Sequence, residues 1–385
     1  MKKIRKIIAT IICFVLAATV LAGCGGNGSP NTAGSPPPSV PPSSPPPPSA
    51  QSPAPAPSVL DTPEEPTTRT VTDMAGRTVT LPLEINTIGT FGSIGVLNAL
   101  VGTMGAGHKI VNEGSASFVN ASNWELYQYR FTPQIRGMRE FENADREIIM
   151  ENVLAAFPDL CLTMSSTYTE LLEAQGLNVI QLEWAEDEDV EVCINLLGEI
   201  LNAEDVAAEY LQYFEDMVER ADALTSGILE TERKTVVYGN ITSTSQPHVI
   251  AEWWISKAGG ISVTTEAFAA SPGAGSLSYD LEDLLLWNPD VMFVSSARER
   301  QDVLADERLS DIGAVQNGEI YVVPRVAHVW GNRTPEQPLT IMWAMNKLYP
   351  EIMATEDLAD DIFFFYSHFF KTDFTPEELA EITGG

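Results

Sequence analysis

Basic residues are scarce in this 385-residue chain, 22 Lys and Arg against 53 Asp and Glu for a formal net charge of −31, yet five arginines fall between Arg298 and Arg333. Arg298, Arg300, Arg325 and Arg333, with His328 and Trp330 among them, follow short apolar runs that read as strands. A guanidinium offers a fixed fork of donors to carboxylates and oxyanions. The local excess would therefore hold an anionic ligand where the field of the whole chain repels one. For each arginine the competing reading is a solvated side chain, or one paired with a neighbour such as Glu299. His248 and His328 are further candidates to touch the ligand, as donors to an incompletely coordinated metal. Together with His108 and His368 they are too dispersed to form a metal cage, and His368, lying among Phe residues, is expected to be packed. Trp330, in a Gly-containing loop, is a candidate ligand wall; of the adjacent Trp253 and Trp254, at least one must face the core. The first half contributes Phe91, Ser93 and the stretch from Ser165 to Tyr168, and the second half adds Ser245 and Gln246, all in loops after strands.

Turnover chemistry has no comparable signature. The chain has neither a Gly-x-Ser-x-Gly elbow nor a His-Glu-x-x-His helix, and Gly102 to Gly107 lacks the Lys-Ser/Thr that completes a phosphate loop. No catalytic residue and no resident cofactor is expected. The acidic balance excludes phosphate-neutralising nucleic-acid binders.

The elements that must position these residues come as a pair. Glu151-Asn152-Val153-Leu154-Ala155-Ala156-Phe157-Pro158-Asp159 and Glu282-Asp283-Leu284-Leu285-Leu286-Trp287-Asn288-Pro289-Asp290 lie 131 residues apart, each with a Glu seven residues before Pro-Asp. Apolar residues at helical spacing lead to a Pro that forbids continuation, and a short buried strand follows. A helix-turn-strand unit used twice predicts two α/β lobes with a cleft between them, and ligands of open α/β sheets sit beyond the carboxyl ends of the strands. Between the copies, Ala203 to about Thr225 reads as the clearest helix, with Val206, Tyr210, Leu211, Phe214, Met217, Val218 and Ala221 on one stripe. Thr70 to Pro82 reads as a hairpin. Strands are predicted near Ile85–Thr90, Lys234–Gly239 and Glu319–Pro324, and closing helices over Pro338–Leu348 and Ala359–Phe370.

The leader is of another kind. Lys2, Lys3, Arg5 and Lys6 precede an apolar run from Ile7 to Ala22, a charged region followed by a hydrophobic one as in export signals. Fifteen of the 26 prolines then lie between Pro30 and Pro66, a composition that favours an extended tether over a fold. Without the four basic residues of the signal, 18 Lys and Arg face 53 acids, a balance of −35. Cys161 and Cys193 leave a disulfide or two buried thiols open, and the apolar run around Cys161 favours the thiols.

Leu21-Ala22-Gly23-Cys24 resembles a bacterial lipobox, which implies lipidation of Cys24 and anchoring to the membrane. Thr72 to Arg77 with Val79 and Leu81-Pro82, the two Glu and Pro-Asp units, Ala258-Gly259-Gly260, and Gly318 to Pro324 together resemble the substrate-binding lipoproteins of ABC importers for iron-siderophore, haem, corrinoid and related metal chelates. The resemblance runs from about Val71 to Tyr349. It implies two Rossmann-like lobes joined by one long α-helix, in a chain divided as signal 1–23, lipidated Cys and Pro/Ser-rich linker 24–68, first lobe 69–202, interlobe helix 203–228 and second lobe 229–385. It also implies a monomer that takes a small-molecule metal chelate, iron-siderophore first, and docks on an ABC permease and its ATPase through Glu151 and Glu282. Each Glu is otherwise an ordinary helix-start acid favoured by the macrodipole. A tethered receptor or adhesin that keeps the fold without a transporter is the remaining alternative.

Overall fold

The computed structural model describes residues 67–114, 119, 124–184, 186–187 and 189–384. The expected signal, Cys24 and nearly all of the Pro-rich linker lie outside the described residues. The body starts with the expected hairpin: β1 (Thr68–Thr72) pairs antiparallel with β2 (Thr78–Pro82). Asp73 closes its turn by accepting from Arg77 N at 2.9 Å.

Two separate parallel sheets follow. The first orders β3 (Ile88–Phe91), β4 (Leu160–Thr163) and β5 (Val179–Gln181), with a single parallel bridge from Ile110 to Ile88 beyond β3. Around it lie α1 (Ile94–Thr103), α2 (Trp124–Phe131), α3 (Met150–Ala156), α4 (Ser166–Glu173) and α5 (Asp189–Leu201). After α6 (Glu204–Thr225) comes β6 (Thr235–Gly239), then β7 (Ser245–Gln246), α7 (Ala251–Lys257), β8 (Ile261–Ser262), α8 (Thr265–Ala269), β9 (Leu277–Ser278), α9 (Leu281–Trp287) and β10 (Val291–Val294). The chain continues through α10 (Ala297–Ala305), α11 (Gly313–Asn317), β11 (Ile320–Val322), α12 (Gln337–Leu348), α13 (Thr355–Phe369) and α14 (Pro376–Gly384). The second sheet reads β8-β6-β10-β11, the same order as Ile110-β3-β4-β5. The duplicated motif thus occupies the same place in both sheets, α3 into β4 and α9 into β10.

The Pro-Asp pair has a structural reason in both copies. Asp159 Oδ2 accepts from Asn86 N at 2.9 Å and Thr87 N at 3.0 Å, while its own N–H donates to Thr87 Oγ1. Asp290 Oδ2 accepts from Thr235 N at 2.8 Å, and its N–H donates to Thr235 Oγ1 at 3.0 Å. Each Asp staples the start of its own strand to the start of the neighbouring one, satisfying backbone donors that the sheet leaves open.

α6 matches the predicted helix and buries Ala207, Tyr210, Phe214, Met217 and Ala221. It is not a free rod between independent cores. One hydrophobic cluster runs from Ile88 and Leu97 through Tyr210 and Phe214 to Trp254, Trp343 and Phe365, because α6 packs on α5 on one side and on α7 and α12 on the other. The closing helices also reach back to the first half. The Phe131 ring stacks on Tyr366 at 5.5 Å, Arg130 Nη1 pairs with Glu378 at 2.5 Å, and Arg220 holds Asp361 at 2.8 Å. Cys161 and Cys193 are buried free thiols, each pushed up to about 12 by burial. Among the described residues no helix is long and apolar enough to cross a membrane.

Candidate functional site

A cleft of about 340 Å³ opens beyond the carboxyl ends of the strands. The first half supplies Gly92 to Val96, the loop after β3 and the first turn of α1, together with Gln128 and Arg146. The second half supplies His248, after β7, and the loop after β11, with Arg325, His328, Asn332 and Arg333. No carboxylate is among the lining residues.

Contacts cross the cleft at three points. Arg333 Nη2 donates to Ser93 Oγ at 3.1 Å, and Gln128 Nε2 donates to the Ala327 carbonyl at 2.7 Å. At the third, His328 approaches so closely that a Cβ added to Gly95 would stand 2.8 Å from its Nδ1. Arg333 also places Nη1 2.8 Å from His248 Nε2. A guanidinium only donates, so that nitrogen accepts and the ring is neutral. Burial first, and then the Arg333 charge, lowers the His248 pKa to about 4. Burial, then Arg325, Arg333 and His248, lowers that of His328 to about 3. Arg325 has no hydrogen-bond or ion-pair partner for its guanidinium among the described residues. The cleft therefore holds positive charge that disfavours further protonation, and an anion would relieve it.

The loop from Arg325 to Arg333 is shaped by a carboxylate outside the cleft. Glu336, fully buried, accepts from Ala327 N (2.8 Å), His328 N (2.7 Å), Trp330 Nε1 (2.9 Å), Thr334 Oγ1 (2.8 Å) and the Tyr366 hydroxyl. Burial raises its pKa, and the donors pull against that rise. These bonds turn the backbone of Ala327 and His328 so that the His328 and Arg333 side chains reach the first half.

Of the residues expected at the ligand, Ser93, His248, Arg325, His328 and Arg333 are brought together here, and three are placed elsewhere. Phe91 is fully buried and stacks on Phe141 at 5.5 Å, because its side chain points into the small core under β3 instead of toward the strand end. Trp330 is fully buried: its indole N–H answers Glu336, so the ring turns away from the cleft. Arg298 lies on the outer face of α10 with 90% of its side chain exposed, 3.6 Å from Asp302. Arg300 donates to the Ile320 carbonyl at 2.8 Å. Trp254 donates to Gly331 O from the core, while Trp253 stacks on Phe214, so neither lines the cleft. His368 is not enclosed as expected but half-buried, stacked on the exposed ring of Phe364 and 3.0 Å from Glu209. Sequence reasoning missed Gln128, Arg146, Asn332 and the supporting Glu336. Gln128 sits in a stretch, Asn112 to Arg136, without clear periodicity, whereas Thr334-Pro335-Glu336 directly before a helical run was a legible signal of a helix start.

A family model described as periplasmic binding protein matches residues 121–327, more than half of the chain. The molybdate-binding protein MolA of Haemophilus influenzae is 29% identical over 115 residues, which are 29% of this chain and 33% of that protein. Among solved structures, a periplasmic solute binding protein from Veillonella parvula matches with 22% identity and a TM-score of 0.68, over 82% of this chain and 96% of its own. The molybdate-bound MolA structure matches with 21% identity and a TM-score of 0.67, over 80% and 99%. An ABC-type Fe3+-hydroxamate transport system protein from Saccharomonospora viridis gives 20%, 0.53, 73% and 98%. The chain belongs to the periplasmic binding proteins of ABC transporters, extracytoplasmic proteins that bind a substrate and do not transform it.

Proposed function

We propose that this protein captures a compact anionic ligand, a metal oxyanion or an anionic metal chelate, and delivers it to an ABC permease. The observation that carries the reading is the lining itself: Arg325, whose guanidinium has no partner among the described residues, and Arg333, with two neutral imidazoles and no carboxylate in the wall, in a chain of net charge −31. A volume of about 340 Å³ lies at the small end of ligand pockets, which favours compact ligands over haem or corrinoids. Two of the similar proteins are named for molybdate and for an Fe3+-hydroxamate; molybdate, a dianion, fits this description, whereas Fe3+ bound by three hydroxamates is neutral at the metal centre. The ferric siderophore expected from sequence is retained as the chelate member of the class. Docking through Glu151 and Glu282, a two-lobe body braced by α6 and anchoring through Cys24 belong to the same proposal.

Calorimetric titration with molybdate, tungstate and a ferric tricatecholate, an anionic chelate, tests it. Binding of at least one of these, weakened by Arg333→Gln, is the expected result. Failure of all three, or equal affinity for a cationic metal–amine complex, removes the reading.

A further inference from the structure

His248 carries a contradiction that a ligand can resolve. With Nε2 accepting from Arg333 Nη1 at 2.8 Å, the one proton of the neutral ring sits on Nδ1. The Ile250 N–H points at that same Nδ1 from 3.2 Å and has no other acceptor among the described residues. A neutral imidazole has a single acceptor nitrogen, and here two donors claim it. Whenever Arg333 bonds to His248, a buried backbone donor just before α7 goes unanswered.

The rest of the wall is richer in donors than in acceptors. The Arg325 guanidinium has no partner among the described residues. Ser93 stands at the N-cap of α1 without capping it, and its oxygen accepts from Arg333 instead. The neighbouring acceptors are already answered: Gln128 Oε1 by Asn98 Nδ2 at 2.9 Å, Asn332 Oδ1 by the Tyr238 hydroxyl at 3.0 Å, and the Ala327 carbonyl by Gln128 Nε2 at 2.7 Å. The His328 ring, set against Gly95, is the exception among these side chains.

An anionic oxygen placed between Arg333 and His248 removes the contradiction. It takes the Nη1 donor, and the ring, by exchange with water, gives up its proton at Nδ1 and gains one at Nε2. Nδ1 then accepts from Ile250, and the Nε2 N–H donates to the ligand. A ligand oxygen bearing a proton would need Nε2 as an acceptor, which returns the ring proton to Nδ1 and restores the conflict.

We infer that His248 is a specificity-determining residue, which turns from acceptor to donor as the ligand arrives and thereby selects oxyanions that bear no proton. Molybdate, tungstate and sulfate are of this class near neutral pH. Hydrogenphosphate and hydrogenarsenate, dianions of the same tetrahedral shape, are not. The inference rests on the proposed anion site and names which anions it takes.

The test is calorimetry on the full chain with these five oxyanions, at a mildly alkaline pH where phosphate and arsenate are dianions with one proton, together with nitrogen NMR of the His248 ring. At least one proton-free anion is expected to bind about tenfold or more tighter than hydrogenphosphate and hydrogenarsenate, the discrimination that one unmatched buried donor gives. Its binding should move the His248 ring proton from Nδ1 to Nε2. His248→Gln, whose amide can turn either its donor or its acceptor to the ligand, should narrow the preference. Equal affinity for the two classes, or a ring proton that stays on Nδ1 in the complex, overturns the inference and leaves the anion site standing. If no oxyanion binds but the ferric tricatecholate does, the result is the same; if none of these anions binds, both readings fall.

Discussion

Acidification should loosen this protein through its two cleft histidines, and the size of the effect follows from their surroundings. His248 has its pKa lowered to about 4 and His328 to about 3 from an ordinary 6.5, by burial and by the arginines beside them. A group depressed in the folded state binds its proton more readily after unfolding. Stability is therefore full above about pH 6.5 and is lost as pH falls toward the folded values. Between pH 7 and pH 5, still above both folded values, each ring contributes a loss of about 2 kcal/mol by linkage, and together about 3 kcal/mol once the partial exposure of His328 is allowed for. Buried Glu142 and Glu336, whose values are raised by burial, act in the opposite sense, so the histidine contribution must be isolated by difference. Urea unfolding of the native protein and of His248→Asn/His328→Asn at pH 7 and pH 5 provides that difference. The native protein should lose about 3 kcal/mol more than the double variant over this interval. Equal losses, or imidazole titrations by NMR near pH 6.5 in the folded protein, would refute the account of a cleft charged against protonation.

Replacing Glu336 by Gln leaves an amide facing the His328 N–H, and should cost about 2–3 kcal/mol in urea unfolding, the penalty of one buried unmatched donor plus weakened charge-assisted bonds. Arg333→Gln removes the cation that spans His248 and Ser93; calorimetry should show affinity for an anionic ligand falling about tenfold or more, while a charge-neutral loss would count against an anion site. Asp159→Ala and Asp290→Ala should each destabilise by about 1–3 kcal/mol, since each strands backbone donors at a strand start. If their thermal melts differ widely, the structural equivalence of the two copies is weaker than the sheet order indicates.

Much of the fold was legible because its signals are local. Pro158 and Pro289 end their helices by the chemistry of the ring, and the stripe from Tyr210 to Ala221 can only be a helix with one buried face. Within the site, Arg325, His328 and Arg333 were legible as polar residues on the loop after a last strand. Their neighbour Trp330 was not, because its direction is decided by Glu336, a residue of the next helix start, and by Tyr366 from α13. Arg298 misled for a simpler reason: Ser296 caps α10 by accepting from Glu299 N at 3.1 Å, which places Arg298 on an outward helix turn, and the Ser-x-x-Glu spacing was present to be read. Gln128 stayed hidden because its role rests on the Asn98 side chain and the Ala327 carbonyl, partners 30 and 199 residues away.

The return of the closing helices onto the first half couples the two halves in folding. The apolar faces of α1 and α2 are completed by Phe370, Tyr366 and Phe374, far along the sequence, and Arg130 by Glu378, 248 residues on. Until those residues are in place the first half cannot complete its packing, so the two halves should gain and lose their structure together. Protease sensitivity of a chain ending at Phe369, with α1 and α2 cut far faster than in the whole protein, is the corresponding laboratory signature.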